Sequence, residues 1–216
     1  NYVGGIVGQI NGTATVKDCI NNAAVTGSSY VGGIVGQNNG STTVIEGCAN
    51  SGLITGISSY TGGIVGSVNG NGRDYSFVSD CSNVGDVEGH QYTGGIAGYI
   101  YAVVIEDCLN DSNINSDSSF VGGITGGINS GNNDTVKRCY NKGHISASDY
   151  VGGIVGGRPS SNSGWYYIYD CYNTGSVSGN SGVGGILGHN YAGWAHEIKN
   201  CYNFGPIKAN NNYCGS

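Results

Sequence analysis

Two blocks decide how this chain folds: Tyr30-Val31-Gly32-Gly33-Ile34-Val35-Gly36 and, further on, Cys48-Ala49-Asn50-Ser51-Gly52-Leu53-Ile54. The first block returns beginning at Tyr2, Tyr60, Tyr92, Phe120 and Tyr150, and at Gly182 with glycine in place of the aromatic residue. Its leading glycines stand at Gly4, Gly32, Gly62, Gly94, Gly122, Gly152 and Gly184, so successive copies lie 28, 30, 32, 28, 30 and 32 residues apart. A period near thirty held over seven copies marks a stack of repeated units, each unable to bury its apolar face alone.

The second block has equally regular columns. Its cysteines are Cys19, Cys48, Cys81, Cys108, Cys139, Cys171 and Cys201, and two residues after each comes Asn21, Asn50, Asn83, Asn110, Asn141, Asn173 or Asn203. A β-branched residue precedes each cysteine by three positions, from Val16 to Ile198, and another follows by six, from Val25 to Ile207. Such residues belong on strands. From each cysteine to the next aromatic position the gap is 11 or 12 residues, whereas from aromatic position to cysteine it runs from 16 to 21. The length variation therefore sits in one loop per repeat, on one face of the stack.

Composition narrows the class. Of 216 residues 42 are glycine, against about 7% in average proteins, only two are proline and none is methionine, so helix is excluded and strands joined by turns are expected. A net charge of -6 argues against nucleic acid as a partner. No apolar run approaches the roughly 20 residues of a membrane span, so no membrane insertion is expected of this segment.

These patterns predict an all-β chain, a parallel β-helix (β-solenoid) of about seven coils, each made of about three short strands. Right-handed winding is expected because parallel crossovers nearly always take that hand. The whole of residues 1–216 reads as one repeat domain, with repeats starting near 2, 30, 60, 92, 120, 150 and 182 and a truncated eighth at Tyr213-Cys214. Equivalent residues then stack about 4.8 Å apart and columns become ladders. The asparagines are expected at corners, since Asn tolerates the left-handed conformation and its amide bonds to the rungs above and below. The cysteines are expected to be reduced, inward-facing small hydrophobes. Leucine-rich repeats need a leucine framework that three Leu cannot supply, and neither the nine-residue β-roll period nor a propeller period of forty or more occurs.

The paired motifs, Tyr30-Val31-Gly32-Gly33-Ile34-Val35-Gly36 with Cys48-x-Asn50-x-Gly52-x-Ile54-x-Gly56, resemble the GLUG repeat of bacterial surface proteins, among them adhesin-like proteins and immunoglobulin A peptidases. The resemblance covers essentially the whole chain. It implies a secreted or cell-surface location and a repeat module flanking other domains of the same polypeptide. A fold resemblance does not itself assign an activity.

Chemistry is sparse. The nearest approach to a zinc His-Glu-x-x-His motif is His196-Glu197-Ile198-Lys199-Asn200, which lacks the second histidine. No metal or cofactor is expected. The residues preceding the cysteines, Asp18, Gly47, Asp80, Asp107, Arg138, Asp170 and Asn200, form a mostly acidic column that reads as a solvated charge ladder, and beyond Asp80, Glu106 and Asp107 no carboxylate cluster stands out. No catalytic residue is therefore assigned. Candidate binding residues are the aromatics of the variable segments, Tyr99, Tyr101, Trp165, Tyr166, Tyr167, Tyr191 and Trp194, expected to share one face and to suit sugar or protein contacts. A second ladder, Tyr140, Tyr172 and Tyr202, reads as ring stacking. The expected function is a non-catalytic stalk or presentation scaffold, with adhesion to an extracellular glycan or host surface protein through the aromatic loops. The alternative is a carbohydrate-active β-helix enzyme, a polysaccharide lyase or hydrolase.

Overall fold

A computed structural model of the chain describes residues 1–40, 42–70, 75–129, 133–159, 164–191 and 196–210. Among these residues the chain winds five parallel sheets of seven strands each. Each coil contributes one strand to every sheet, and in the fourth coil these are Gln91–Gly94, Ala97–Tyr101, Val103–Glu106, Leu109–Asn110 and Ile114–Ser116. The architecture is the expected β-solenoid, with five short strands per coil in place of three. No helix long and apolar enough to cross a membrane is present among the described residues.

Register follows the repeat. Gly62 pairs with Gly32 and Gly94, Val78 with Ile45 and Ile105, and Asn83 with Asn50 and Asn110. The unequal repeat lengths are absorbed between the second and third strands, as the spacing predicted. In the sixth coil the second strand ends at Gly157 and the third begins at Tyr166, whereas in the fourth only Ala102 lies between them, where a φ of 55° makes the turn in one residue.

Inward side chains form two apolar columns. The larger joins Ile34, Val35, Ile45 and Cys48 to their equivalents along the stack, and the smaller joins Val25, Val31, Ile54, Val87 and Ile114 to theirs. The asparagine ladder stands between them. Each amide nitrogen donates to the side-chain oxygen of the next asparagine, at 2.7 to 3.0 Å from Asn21 through Asn203, and to the carbonyl two residues ahead in its own chain, as from Asn110 to Ser112 at 2.9 Å. Buried amides satisfied on both sides rigidify a core, whereas unpaired ones would destabilise it. The second glycine of each pair faces this ladder. A Cβ on Gly95 would lie 2.3 Å from Asn110 Cγ and 2.3 Å from the Gly123 carbonyl oxygen, so only glycine lets the coil close across its waist.

Two expectations about local conformation are corrected. The ladder asparagines occupy strands, as at Leu109–Asn110, and do not adopt the left-handed conformation. That conformation belongs to the residues before the cysteines, Asp18, Gly47, Asp80, Asp107, Arg138, Asp170 and Asn200, and to the aromatic column from Tyr30 to Tyr150, with Gly182 completing it. Asp, Asn and Gly tolerate this region best, which explains the composition of the mostly acidic column.

The seven column cysteines are free thiols, buried from Cys48 to Cys171 and half-buried at Cys19 and Cys201. Each sulfur donates to the carbonyl two residues before it, as from Cys108 to Glu106 at 3.2 Å. Burial pushes the Cys108 thiol well above its ordinary pKa. Cys214 and Tyr213 of the eighth repeat lie outside the described residues.

Candidate functional site

Ionic side chains on the outer surface are mutually engaged. Arg138 Nε donates to Asp107 Oδ1 at 2.8 Å and its Nη2 to Asp107 Oδ2 at 2.6 Å and Glu106 Oε2 at 2.8 Å, while Lys137 Nζ approaches Glu106 at 2.8 Å. Bonds from Lys137 and Arg138 hold Glu106 below the ordinary carboxylate pKa, and the bond from Arg138 does the same for Asp107. This is a charge ladder in which cations offset the repulsion of stacked carboxylates. Among the described residues no group of three His, Cys, Asp or Glu side chains is placed to hold a metal ion.

The aromatic residues divide between two sheets, contrary to the expectation of one shared face. Tyr99 lies on the second strand of its coil and meets Tyr60 and Tyr92 edge to face, with centroids 5.5 and 5.2 Å away. It leans over Gly127, where any Cβ would strike its ring at 2.8 Å. Burial raises its hydroxyl pKa. Beneath it runs a ladder from the repeat motif itself: Tyr2, Tyr30, Tyr60, Tyr92, Phe120 and Tyr150, with centroids 4.8 to 5.3 Å apart. His189 continues it, 4.2 Å from Tyr150. Tyr30, Gln37, Tyr60, Ser67, Tyr99 and Tyr101 line a groove of about 220 Å³ there. Because the tyrosine faces already stack on one another, the ladder presents mainly ring edges and hydroxyls.

The second group is a row along one strand. Tyr167 and Tyr169 occupy alternate positions of the third strand, Tyr166–Tyr169, and Trp165, which directly precedes it, continues their side. Their centroids lie 6.3 and 5.5 Å apart, with planes inclined by 16° and 31°. Trp165 is 51% exposed. Beside the row, Tyr169, Asp170, Glu197, Lys199 and Asn200 line a depression of about 350 Å³. Tyr169 Oη donates to Glu197 Oε2 at 2.6 Å and Asn200 Nδ2 to Asp170 Oδ1 at 2.9 Å. The row thus runs from the exposed indole of Trp165 to Tyr169 at the rim of the depression, where carboxylate, amide and ammonium groups supply hydrogen-bonding partners.

Three other candidates fall elsewhere. Tyr166 points inward with 1% exposure, since it alternates with Trp165 and Tyr167, and its ring is core rather than surface. Tyr191 is exposed near His189, 6.4 Å between centroids. Trp194 lies outside the described residues. In the lesser ladder, Tyr140 and Tyr172 stack at 4.7 Å.

Sequence reading missed two features. Tyr169 completes the aromatic row, which period-2 alternation within Trp165-Tyr166-Tyr167-Ile168-Tyr169 could have revealed. The depression pairing Asp170 with Glu197 arises because Tyr167 and Glu197 are register partners in adjacent coils, a register that counting four residues back from Cys171 and Cys201 could have revealed. No family model, curated protein or solved structure matches this chain.

Proposed function

We propose that the chain is a non-catalytic scaffold of a secreted or cell-surface protein, resembling the GLUG repeat modules of bacterial adhesin-like proteins, and that it holds neighbouring domains apart while one face adheres to a glycan. The observation that carries the scaffold reading is the unbroken amide ladder from Asn21 to Asn203, which couples all seven coils into one stiff body. The exposed Trp165 row beside the Asp170–Glu197 depression supports adhesion, because aromatic platforms edged by polar groups suit sugar rings.

A binding screen of the purified chain against glycans and host surface proteins tests this reading. Retention of a saccharide by the wild type, with loss in Trp165→Ala at unchanged circular dichroism, supports it. Binding that survives the substitution refutes the placement of the site. The same depression favours a second reading, a glycan-cleaving enzyme using Asp170 and Glu197 as its carboxylate pair. Cleavage of a bound polysaccharide, abolished in Glu197→Gln, would establish that reading in place of the first.

A further inference from the structure

Two inward columns meet beneath the variable loops. One, at the end of the second strand, runs Ile10, Asn38, Val68, Ile100 and Ile128. Arg158 and Asn190 continue it, since each directly follows a member of the register pair Gly157 and His189. The other, at the start of the third strand, runs Ala14, Thr43, Ser76, Val103, Asp134, Tyr166 and His196, with Asp134 paired to Tyr166 and Tyr166 to His196.

In two other coils polar residues of these columns bond to one another, and in the fifth Asp134 Oδ1 accepts from Val103 N at 2.8 Å while its Oδ2 is buried and unpartnered. In the second coil Thr43 Oγ1 donates to Asn38 Oδ1 at 2.9 Å, and Gly40 N adds a bond to the same oxygen at 3.1 Å. In the seventh, Asn190 Nδ2 and His196 Nδ1 lie 3.0 Å apart.

Among the described residues the sixth coil leaves the most buried polar atoms unpaired. Arg158 is 1% exposed, yet none of its three guanidinium nitrogens has a hydrogen-bond partner, and the buried Tyr166 hydroxyl also has none. The side-chain oxygen of Asn190, next above Arg158, is likewise buried and unpartnered. A buried guanidinium without a counter-charge is strongly unfavourable, and Arg stays protonated at any ordinary pH. The same position is filled by isoleucine in the fourth and fifth coils, so the backbone does not require arginine.

We propose that Arg158, Tyr166 and Asn190 form the binding site of a small protonated oxyanion, hydrogen phosphate being the simplest. The guanidinium fork matches two oxygens of a tetrahedral oxyanion, the Tyr166 hydroxyl donates to a third, and the Asn190 oxygen accepts from the remaining P–OH. That last contact is what sets hydrogen phosphate apart from sulfate and chloride, which have no proton to donate. His196, which is exposed and stacks on Tyr166 at 5.4 Å, leaves the cluster close to solvent through the last coil.

Calorimetric titration of the chain with inorganic phosphate at constant ionic strength tests the proposal, with sodium sulfate and sodium chloride as parallel arms. Saturable binding of one phosphate per chain, weaker for sulfate and absent for chloride, is expected. Arg158→Ile, which restores the residue of the neighbouring coils and so keeps the fold, is expected to abolish binding. Tyr166→Phe is expected to weaken it by about tenfold, the equivalent of one hydrogen bond. Absence of saturable binding, equal response to chloride, or binding unchanged in Arg158→Ile overturns the proposal.

Discussion

Asn110→Ala removes the centre of the amide ladder, and the structure sets the size of the effect. Asn110 Nδ2 donates to Asn141 Oδ1 at 2.8 Å and to the Ser112 carbonyl at 2.9 Å, and its Oδ1 accepts from Asn83 Nδ2 at 3.0 Å and Ser112 Oγ at 2.8 Å. Alanine leaves the Asn83 amide with two other acceptors, Gly85 O and Ser112 Oγ. It strips the Asn141 oxygen and the Ser112 carbonyl of the donor that Asn110 gave each, inside a core where Asn110 and Asn141 are fully buried. At about 1–3 kcal/mol for each orphaned group, the expected destabilisation is about 3–5 kcal/mol. Asn203→Ala is the internal control. Asn203 is exposed and carries two such bonds, from Asn173 and to Gly205, so a loss of about 1 kcal/mol is expected there. Equilibrium urea unfolding followed by far-ultraviolet circular dichroism measures both. Exchange of the amides around Asn83, Asn110 and Asn141 shows whether the weakening centres on the ladder. If Asn110→Ala costs less than 1 kcal/mol, or no more than Asn203→Ala, the ladder is not what couples the coils.

Three further outcomes are expected. Every column thiol from Cys19 to Cys201 titrates in denaturant without reductant, while in the native protein Cys48 to Cys171 resist Ellman's reagent because they are buried and bonded to carbonyls; a shortfall of thiols after denaturation refutes their free state. Tyr166→Ala costs about 3–5 kcal/mol of stability, as for other buried aromatics, whereas Trp165→Ala leaves unfolding within about 0.5 kcal/mol of wild type; the reverse order would invert the inward and outward assignment. Burial pushes the Asp134 carboxyl up to about 8, so the native state holds a proton that the unfolded chain releases near pH 4. Stability should then fall as pH rises from about 4 to about 8, by on the order of 1 kcal/mol per unit, and Asp134→Asn should flatten that slope.

The solenoid was legible because its determinants recur in register. The cysteine, asparagine and glycine columns each occupy one position per coil, and stacking converts that repetition directly into contact. Five strands per coil were not legible as such: Leu109–Asn110 is two residues long, too short for any periodicity to appear. The binding candidates were legible as residues but not as a surface. Tyr166 and Trp165 are neighbours in sequence with opposite fates, and the turn between second and third strands sends Tyr99 and Tyr167 to different sheets. The polar cluster at Arg158 was illegible for a related reason: Arg158 stands six residues after Gly152 as Ile128 does after Gly122, but its meeting with Tyr166 crosses a connection whose length changes from coil to coil.

The left-handed columns explain why an acidic ladder and an aromatic ladder coexist without a catalytic reason for either. Each coil needs a left-handed residue before its cysteine, and Asp18, Asp80, Asp107, Asp170, Asn200 and Gly47 are the residue types that adopt that conformation with least strain. Arg138 does not suit it, and there the forked bonds to Asp107 and Glu106 supply what the backbone loses. The aromatic column meets the same demand differently. A bulky residue at a φ near 60° costs on the order of 1 kcal/mol, and a stacked ring contributes about 0.5–1.5 kcal/mol in return. That exchange holds while a neighbouring ring lies above and below. At the seventh coil the position is Gly182, with a φ of 61°, and the Tyr150 ring is covered instead by His189. Backbone geometry therefore accounts for both columns, Asp170 and Asn200 included, and the surface chemistry left for recognition is what lies outside them, at Trp165, Tyr167, Tyr169 and Glu197.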